Sequence, residues 1–246
     1  MSESGDNKII GNFRKLIDEI SADNAYNPAN DKLKIIPLEA QYNNGDAAVN
    51  DVAAARAPYK LAITDRESAF KALRPLVVRS RNFLKASGAP KGVVEDADTF
   101  VRKLSGSRKS PKPKDDPNAP AGEGNQSGGS SSASQMSYDN QVGNFEAYIE
   151  ILKNVPAYNP NEADLKVTAL TAYAAGLTAK NNTVNTTSAN LNQTRGQRDQ
   201  LLYTGDDSIV NTALLAKAYV QAALGSKSQL HKKIKGLTFS RQNKGG

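Results

Sequence analysis

Cysteine and tryptophan are absent from this sequence of 246 residues, and only 6% of its residues are aromatic. Without cysteine, the chain can form no disulfide bond, no thiolate metal site and no cysteine nucleophile. Histidine occurs once, as His231, so a typical histidine-based zinc site is excluded as well. We interpret His231, which stands beside two lysines, as a solvated residue on a helix.

The sequence also lacks the short motifs that many enzymes use. It contains no phosphate-binding glycine-rich loop, no G-x-S-x-G elbow and no Glu-x-x-His pair of the kind found in dimetal bundles. Its few groups of neighbouring carboxylates are explained as charge at helix N termini or as solvation of a linker: Glu95-Asp96-Asp98, Asp115-Asp116 and Asp206-Asp207. We therefore expect a protein that is not an enzyme and that needs no metal and no cofactor.

Long apolar runs are missing too. No stretch approaches the roughly 18 apolar residues that a membrane helix needs, and the opening MSESGDNKII has no apolar run of signal-peptide length. We expect a cytoplasmic protein without a membrane segment, and the absence of cysteine is consistent with a reducing compartment.

What the sequence does contain is a repeat. The phrase AYNP occurs at 25–28 and again at 157–160, and identical residues recur at the same separation of 132 over about 95 residues. The matching pairs include Asn12/Asn144, Phe13/Phe145, Ile17/Ile149, Tyr26/Tyr158, Leu33/Leu165, Lys34/Lys166, Leu38/Leu170, Val52/Val184, Arg66/Arg198 and Val78/Val210. We interpret this register as a tandem duplication, with repeat 1 at 8–106 and repeat 2 at 139–241.

Residues 107–138 separate the two repeats. Their composition is rich in proline and then in glycine and serine, with few apolar side chains, which is typical of a flexible linker. A chain of this length spans on the order of 30 Å, so the halves could pack side by side in either orientation.

The repeated phrase predicts the start of a helix. Asn27 and Asn159 would be N-caps, and Pro28 and Pro160 would occupy the first helical position, where a missing N–H costs nothing. The alternative is a ligand-binding loop, but capping explains each residue type.

Each half is predicted to contain four helices, and no segment shows the two-residue alternation of a strand. The predicted helices lie at about 8–22, from 28 onward, 76–87 and 93–104 in the first half, and at about 142–154, 160–203, 207–224 and 226–236 in the second. The fold class is therefore all-α, with two homologous repeats packed as a pseudo-two-fold helical bundle.

The long second helix of each half carries residues at alternating spacings of three and four, which is a coiled-coil-like seam. The seam residues are Leu38, Gln41, Gly45, Ala48, Val52, Ala55, Tyr59, Ala62, Arg66 and Ala69, and then Leu170, Tyr173, Leu177, Lys180, Val184, Thr187, Leu191, Thr194, Arg198 and Leu201. Pro37 and Pro58 are predicted to kink or interrupt the first of these helices, and a break is expected at Arg74-Pro75.

The run SQMSYDNQVGNFEAYIEILKNVPAYNPNEADLKV, with YTGDDSIV and KAYVQAALG further on, resembles uncharacterised tandem-repeat helical proteins of Bacteroidota-type bacteria. The resemblance is clearest over 134–223 and weaker in the first half. It implies a duplicated helical architecture and no known activity, substrate or cofactor.

Arg66 and Arg198 occupy the same seam position, and each is followed by an acid. An arginine in a seam must be paired or must reach water. The structural interpretation is a repeated ion pair that fixes helix register, and the alternative is an anion site where the two arginines approach each other.

Positive charge is concentrated in the later part of each half. Residues 71–110 hold ten Lys/Arg against three acids, and residues 203–246 hold seven against two. The candidate anion-binding residues are Arg79, Arg81, Arg102, Lys232, Lys233 and Lys235. We expect a structural or protein-interaction role with an unknown protein partner. The alternative is electrostatic binding of nucleic acid or a ribonucleoprotein surface.

Overall fold

The computed structural model describes residues 3–106 and 136–240, and this part of the chain is helical with no β-strand. The helices are α1 Glu3–Ser21, α2 Ile35–Lys71, α3 Leu73–Ala86, α4 Lys91–Ser105, α5 Tyr138–Lys153, α6 Val167–Asp199, α7 Ile209–Leu224 and α8 Gln229–Ile234. Single 3-10 turns at Asp31–Leu33 and Ala163–Leu165 precede α2 and α6, and a π-helical turn at Gln200–Thr204 follows α6. The predicted all-α class is confirmed.

The chain divides into two compact units, and each unit draws on both halves of the sequence. Unit 1 comprises 1–60 with 186–246, and unit 2 comprises 61–185. The divisions fall within α2 and α6. The compact units therefore do not coincide with the predicted repeats at 8–106 and 139–241, because each unit joins the early part of one predicted repeat to the late part of the other.

The core of unit 1 forms around α1. The apolar residues of α1 recur at spacings of three and four, so one face of the helix is buried against α7 and α8. The most deeply buried members of this core are Phe13, Leu16, Ile17, Leu38, Leu202, Ile209, Val210, Ala213, Ala216, Val220 and Ile234.

The core of unit 2 forms around α5, which packs on α4, while α4 packs on α3. Phe145 and Tyr148 of α5 are fully buried, as is Leu84 of α3. A buried hydrogen-bond chain runs through this core, because the hydroxyl of Ser80 lies 2.8 Å from that of Tyr148 and 2.7 Å from that of Tyr158. Buried hydroxyls are thus satisfied by one another.

The Asn-Pro phrases do not begin α-helices, which corrects the predicted caps at Asn27 and Asn159. Residues 27–28 and 159–160 are non-helical, and α2 and α6 begin only at Ile35 and Val167. A residue before proline is disfavoured in the helical region, so the chain stays extended here. Pro28 and Pro160 accordingly lie outside the helices.

The neighbouring tyrosines explain the repeated phrase instead. The hydroxyl of Tyr26 donates a hydrogen bond of 2.8 Å to the carbonyl of Leu33, and the hydroxyl of Tyr158 donates one of 2.8 Å to the carbonyl of Leu165. Each bond closes the loop that leads into the next long helix.

Pro37 and Pro58 do not interrupt α2, so that part of the prediction is wrong, whereas the break expected near Arg74-Pro75 is present, because α2 ends at Lys71 and α3 begins at Leu73. Pro37 lies in the first turn of α2 and Pro75 in the first turn of α3, where no helical N–H is required. Helix α2 continues through Pro58, and the carbonyl of Ala54, which loses its helical partner, belongs to an exposed residue that water can reach.

The predicted linker falls mostly outside the described residues. Its last three residues are an exception, because Ser137 is the N-cap of α5 and accepts a hydrogen bond from the backbone N–H of Asn140. The Asp115-Asp116 pair also lies outside the described residues.

Candidate functional site

Unit 1 contains a cleft of about 660 Å³ between the middle of α2 and the end of α6. Its lining consists of small, amide and acidic side chains with one leucine, and no lysine or arginine is among the described residues that line it: Asn44, Ala47, Ala48, Asp51, Thr194, Gln197, Gln200, Leu201, Gly205, Asp206 and Asp207. In a chain with a formal net charge of +7, this cleft is a local concentration of negative charge.

The π-helical turn forms one wall of the cleft. The backbone N–H of Gly205 donates to the carbonyl of Gln200 at 3.0 Å, which is the five-residue spacing of a π-helix. A Cβ at Gly205 would lie 2.9 Å from that carbonyl oxygen, so glycine permits the tight turn. Such turns occur frequently at functional sites.

The π-helical turn also shifts the seam by one residue. The heptad pattern predicts that Leu201 faces the core, but Leu201 is 37% exposed and Leu202 is fully buried. The extra residue in the turn rotates the side chains that follow, which turns Leu201 into the cleft. The spacing of three and four residues alone could not reveal this.

Asp207, one of the acidic residues that line the cleft, is held in place by other side chains of unit 1. The ammonium of Lys32 lies 2.5 Å from the Oδ1 atom of Asp207, and both side chains are exposed. The amide of Gln41 donates to the backbone carbonyl of Asp207 and, at 3.1 Å, to the hydroxyl of Thr212. Ser208 then caps α7 by accepting a hydrogen bond from the N–H of Asn211.

Next to the π-helical turn lies a buried ion pair around Arg198. The guanidinium of Arg198 is 2.7 Å from Asp6 and 2.6 Å from Asp199, and Arg198 and Asp6 are each more than nine-tenths buried. The hydroxyl of Tyr203 donates to the second oxygen of Asp6 at 2.6 Å. Burial, together with this hydrogen bond to Asp6, raises the pKa of Tyr203.

Arg66 in unit 2 is held differently, so the predicted ion pair is not repeated. Its guanidinium lies over the ring of Tyr138, 4.1 Å from the centroid, and its Nε atom is buried with no hydrogen-bond partner among the described residues. Asp6 and Tyr138 are themselves 132 residues apart, so the predicted repeat matches a carboxylate in one unit to an aromatic ring in the other. Because two carboxylates already neutralise Arg198, its guanidinium is a poor candidate for the alternative anion site.

Three of the six candidate anion-binding residues are engaged in ion pairs. Arg79 is 2.6 Å from Asp164, Arg81 is 2.5 Å from Asp98, and Lys233 is 2.8 Å from Glu19. A cation with a carboxylate partner is less available to a phosphate.

The other three candidate residues are exposed. Arg102 donates to the hydroxyl of Thr99 at 2.9 Å, and Lys232 and Lys235 flank the end of α8. The three arginines belong to unit 2 and the three lysines to unit 1.

His231 is half-buried rather than fully solvated, and its Nδ1 atom is buried without a hydrogen-bond partner among the described residues. In the described part of the chain, no three histidine or carboxylate side chains are placed to hold a metal ion. No described helix is long and apolar enough to cross a membrane.

Comparisons of the chain with protein-family models, with curated proteins and with solved structures gave no match. The resemblance to tandem-repeat helical proteins stays a prediction. A function for this protein is therefore inferred from the geometry of the two units.

Proposed function

We propose that this protein is a non-enzymatic, duplicated helical protein that binds another protein through the outer face of α7. The observation that carries the proposal is the apolar character of that face. Leu214 is 38% exposed and Leu215 is 55% exposed. Two exposed alanines, Ala218 and Ala222, continue the same face one and two turns further along the helix.

The composition of α7 is unusual for a surface helix. Lys217 is its only charged residue, and its ammonium is turned onto the backbone, where it donates to the carbonyls of Lys235 and Leu237 at 3.1 and 2.7 Å. The exposed face thus carries no charge of its own. Contiguous exposed apolar surface of this kind marks sites of protein interaction.

The corresponding face of unit 2 is different, which makes the apolar face of α7 a specific feature. The buried residues of α3 and α7 match at a separation of 136: Leu73, Val77, Ser80 and Leu84 correspond to Ile209, Ala213, Ala216 and Val220. Leu214 and Leu215 then correspond to Val78 and Arg79. Unit 2 therefore carries a cation where unit 1 carries a leucine.

The duplication itself is part of the proposal, and two recurring contacts support it. The first recurring contact is the hydrogen bond from a tyrosine hydroxyl to a backbone carbonyl, which Tyr26 and Tyr158 both make. The second is an edge-to-face ring contact of 5.3 Å, which joins Tyr26 to Tyr219 and Tyr158 to Phe83.

The separation of 136 at α3 and α7 departs from the separation of 132 that the sequence match predicts for Val78 and Val210. Val78 is exposed and Val210 is fully buried, so that pair is not equivalent. The π-helical turn and the residues after it account for the four extra positions. The approximate two-fold relation of the halves and the cytoplasmic location remain predictions that go with the proposal.

A pull-down from native lysate, with and without nuclease, tests the class of partner. We expect the full chain to retain a protein that survives nuclease treatment, and the double change Leu214→Gln with Leu215→Gln to release it. Val78→Gln, an exposed apolar position on α3, is the matched control and should retain the partner. Capture that nuclease abolishes would overturn the proposal in favour of nucleic acid.

A further inference from the structure

We propose that the cleft of unit 1 binds a primary ammonium group on an aliphatic stem, as carried by a lysine side chain or a polyamine. This inference rests on the duplication in the proposed function and concerns a different surface from the face of α7. It follows from what fills the corresponding place in unit 2.

In unit 2 that place is occupied by a lysine of the chain itself. Lys180 of α6 reaches across to Asp65 of α2, and its ammonium lies 3.2 Å from the Oδ2 atom. At the separation of 132, Lys180 corresponds to Ala48 and Asp65 corresponds to Gln197. Both Ala48 and Gln197 line the cleft of unit 1.

Unit 1 therefore lacks the lysine that bridges the two helices in unit 2. Alanine at position 48 removes the whole stem and the ammonium group, and the cleft occupies the space between α2 and α6. The carboxylates of Asp51, Asp206 and Asp207 stand at this cleft in place of Asp65.

The chemistry of the lining suits a lysine-like group. The methyl groups of Ala47 and Ala48 and the side chain of Leu201 offer an apolar path for the stem. Around that path, amide and carboxylate oxygens can accept the three hydrogens of an ammonium. The carboxylate of Asp207 already binds the ammonium of Lys32, at 2.5 Å, so Asp51 and Asp206 are the carboxylates left for a ligand.

A divalent metal is a poorer match. Calcium requires six to eight oxygen ligands and magnesium a near-ideal octahedron, whereas the described residues hold no group of three metal-ligating side chains. Ammonium tolerates a looser and partly hydrated set of acceptors.

The test is an NMR titration of the full-length, isotopically labelled protein with three probes. These are an acetylated and amidated Gly-Lys-Gly-Lys-Gly peptide, the same peptide with glutamine for lysine, and spermidine. Shifts should appear around Asp51 and Asp206 with the lysine peptide, with spermidine or with both, and they should be absent with the glutamine peptide. The lysine peptide and spermidine distinguish a polypeptide from a polyamine as the source.

Variants make the assignment specific. Asp51→Asn with Asp206→Asn should weaken binding about fivefold at 50 mM salt, since exposed ion pairs are worth a fraction of a kcal/mol each. Asp46→Asn, on α2 but outside the cleft, should leave the affinity unchanged. Ala48→Lys with Gln197→Asp copies the pair of unit 2 and should abolish binding by filling the cleft.

Two results would overturn the inference: no shifts with either ammonium probe at millimolar concentration, or equal weakening by Asp46→Asn. The amide spectrum of each variant verifies its fold. A filled-cleft variant that still captures the cellular partner would leave the proposed function standing, and the fate of this site rests on the ammonium titration alone.

Discussion

Tyr158 shows at the scale of single residues why the AYNP phrase recurs. Its hydroxyl joins Ser80 to the carbonyl of Leu165, whereas the neighbouring Asn159 is exposed and caps no helix. The sequence identified the right phrase but assigned its role to the wrong residue. Asn-Pro is a common helix start, and nothing local reveals a tyrosine bond to a carbonyl seven residues away.

We expect Tyr158→Phe to lower the free energy of unfolding by about 1–2 kcal/mol, because it leaves a buried carbonyl without its donor. Asn159→Ala should change it by less than about 0.5 kcal/mol, as is usual for exposed positions. Urea unfolding of the two variants provides the comparison. A loss of about 1 kcal/mol in Asn159→Ala would restore the capping interpretation.

Buried tyrosines also predict how stability depends on pH. Burial raises the pKa of Tyr26, Tyr148 and Tyr203 above the ordinary value of 10.0. Above that pH the unfolded chain releases these protons while the folded chain keeps them, so the free energy of unfolding falls as pH rises. Thermal melts between pH 8 and about 11 should show this decline, and Tyr148→Phe should make it shallower. A flat profile would contradict the burial of these hydroxyls.

At the scale of elements, α2 depends on a glycine where its neighbours come close. A Cβ at Gly45 would lie 2.3 Å from the Cδ1 atom of Ile209 and 2.9 Å from that of Ile10, both of which are buried. By contrast, a Cβ added at Gly176 on α6 would have no heavy atom of another described helix within 4 Å. The seam pattern predicted that Gly45 faces inward, but not that the side chains of Ile209 and Ile10 fill the space where a Cβ would lie.

We therefore expect opposite effects from the same substitution. Gly45→Ala should destabilise the protein by about 1–3 kcal/mol through overpacking. Gly176→Ala should stabilise it by about 0.5–1 kcal/mol, because alanine is the better helix former. Differential scanning calorimetry of the two variants is the measurement, and stabilisation by Gly45→Ala would show that the helices can separate at little cost.

The sequence pattern predicted each of the helices α1 to α8, but it located their ends less accurately. The predicted ends of α7 and α4 lie close to the observed ones, since periodicity stops there. Pro37 misled the prediction, because a proline in the first turn of a helix and a proline that breaks a helix look alike until the helix start is known. The π-helical turn has no signature in three-four spacing, so the cleft wall could not be foreseen.

At the scale of the whole molecule, each compact unit depends on both halves of the sequence. Helix α1 is buried by α7 and α8 from the far end of the chain, and α5 packs on α4 of the other half. Sequence similarity between the halves cannot tell which copy of a helix packs on which. The length of the predicted linker allows either arrangement.

The two halves of the chain should accordingly fail to fold as monomers when they are separated. Residues 1–106 alone expose the apolar face of α1 that α7 and α8 normally bury, so we expect an unfolded or self-associated fragment. Mixing it with residues 136–246 should restore the helical signal and a cooperative melt, as followed by circular dichroism. A cooperatively folded monomer of 1–106 would show that the repeats are independent domains.

The central claim is that the apolar face of α7 binds a protein. Site-specific photo-cross-linking in cells, from a reactive residue placed at Leu215 and, as the control, at Val78, tests it most directly. The account predicts a discrete protein adduct from position 215 that nuclease does not remove and that Leu214→Gln diminishes. No adduct at 215, or the same adduct from position 78, would contradict it.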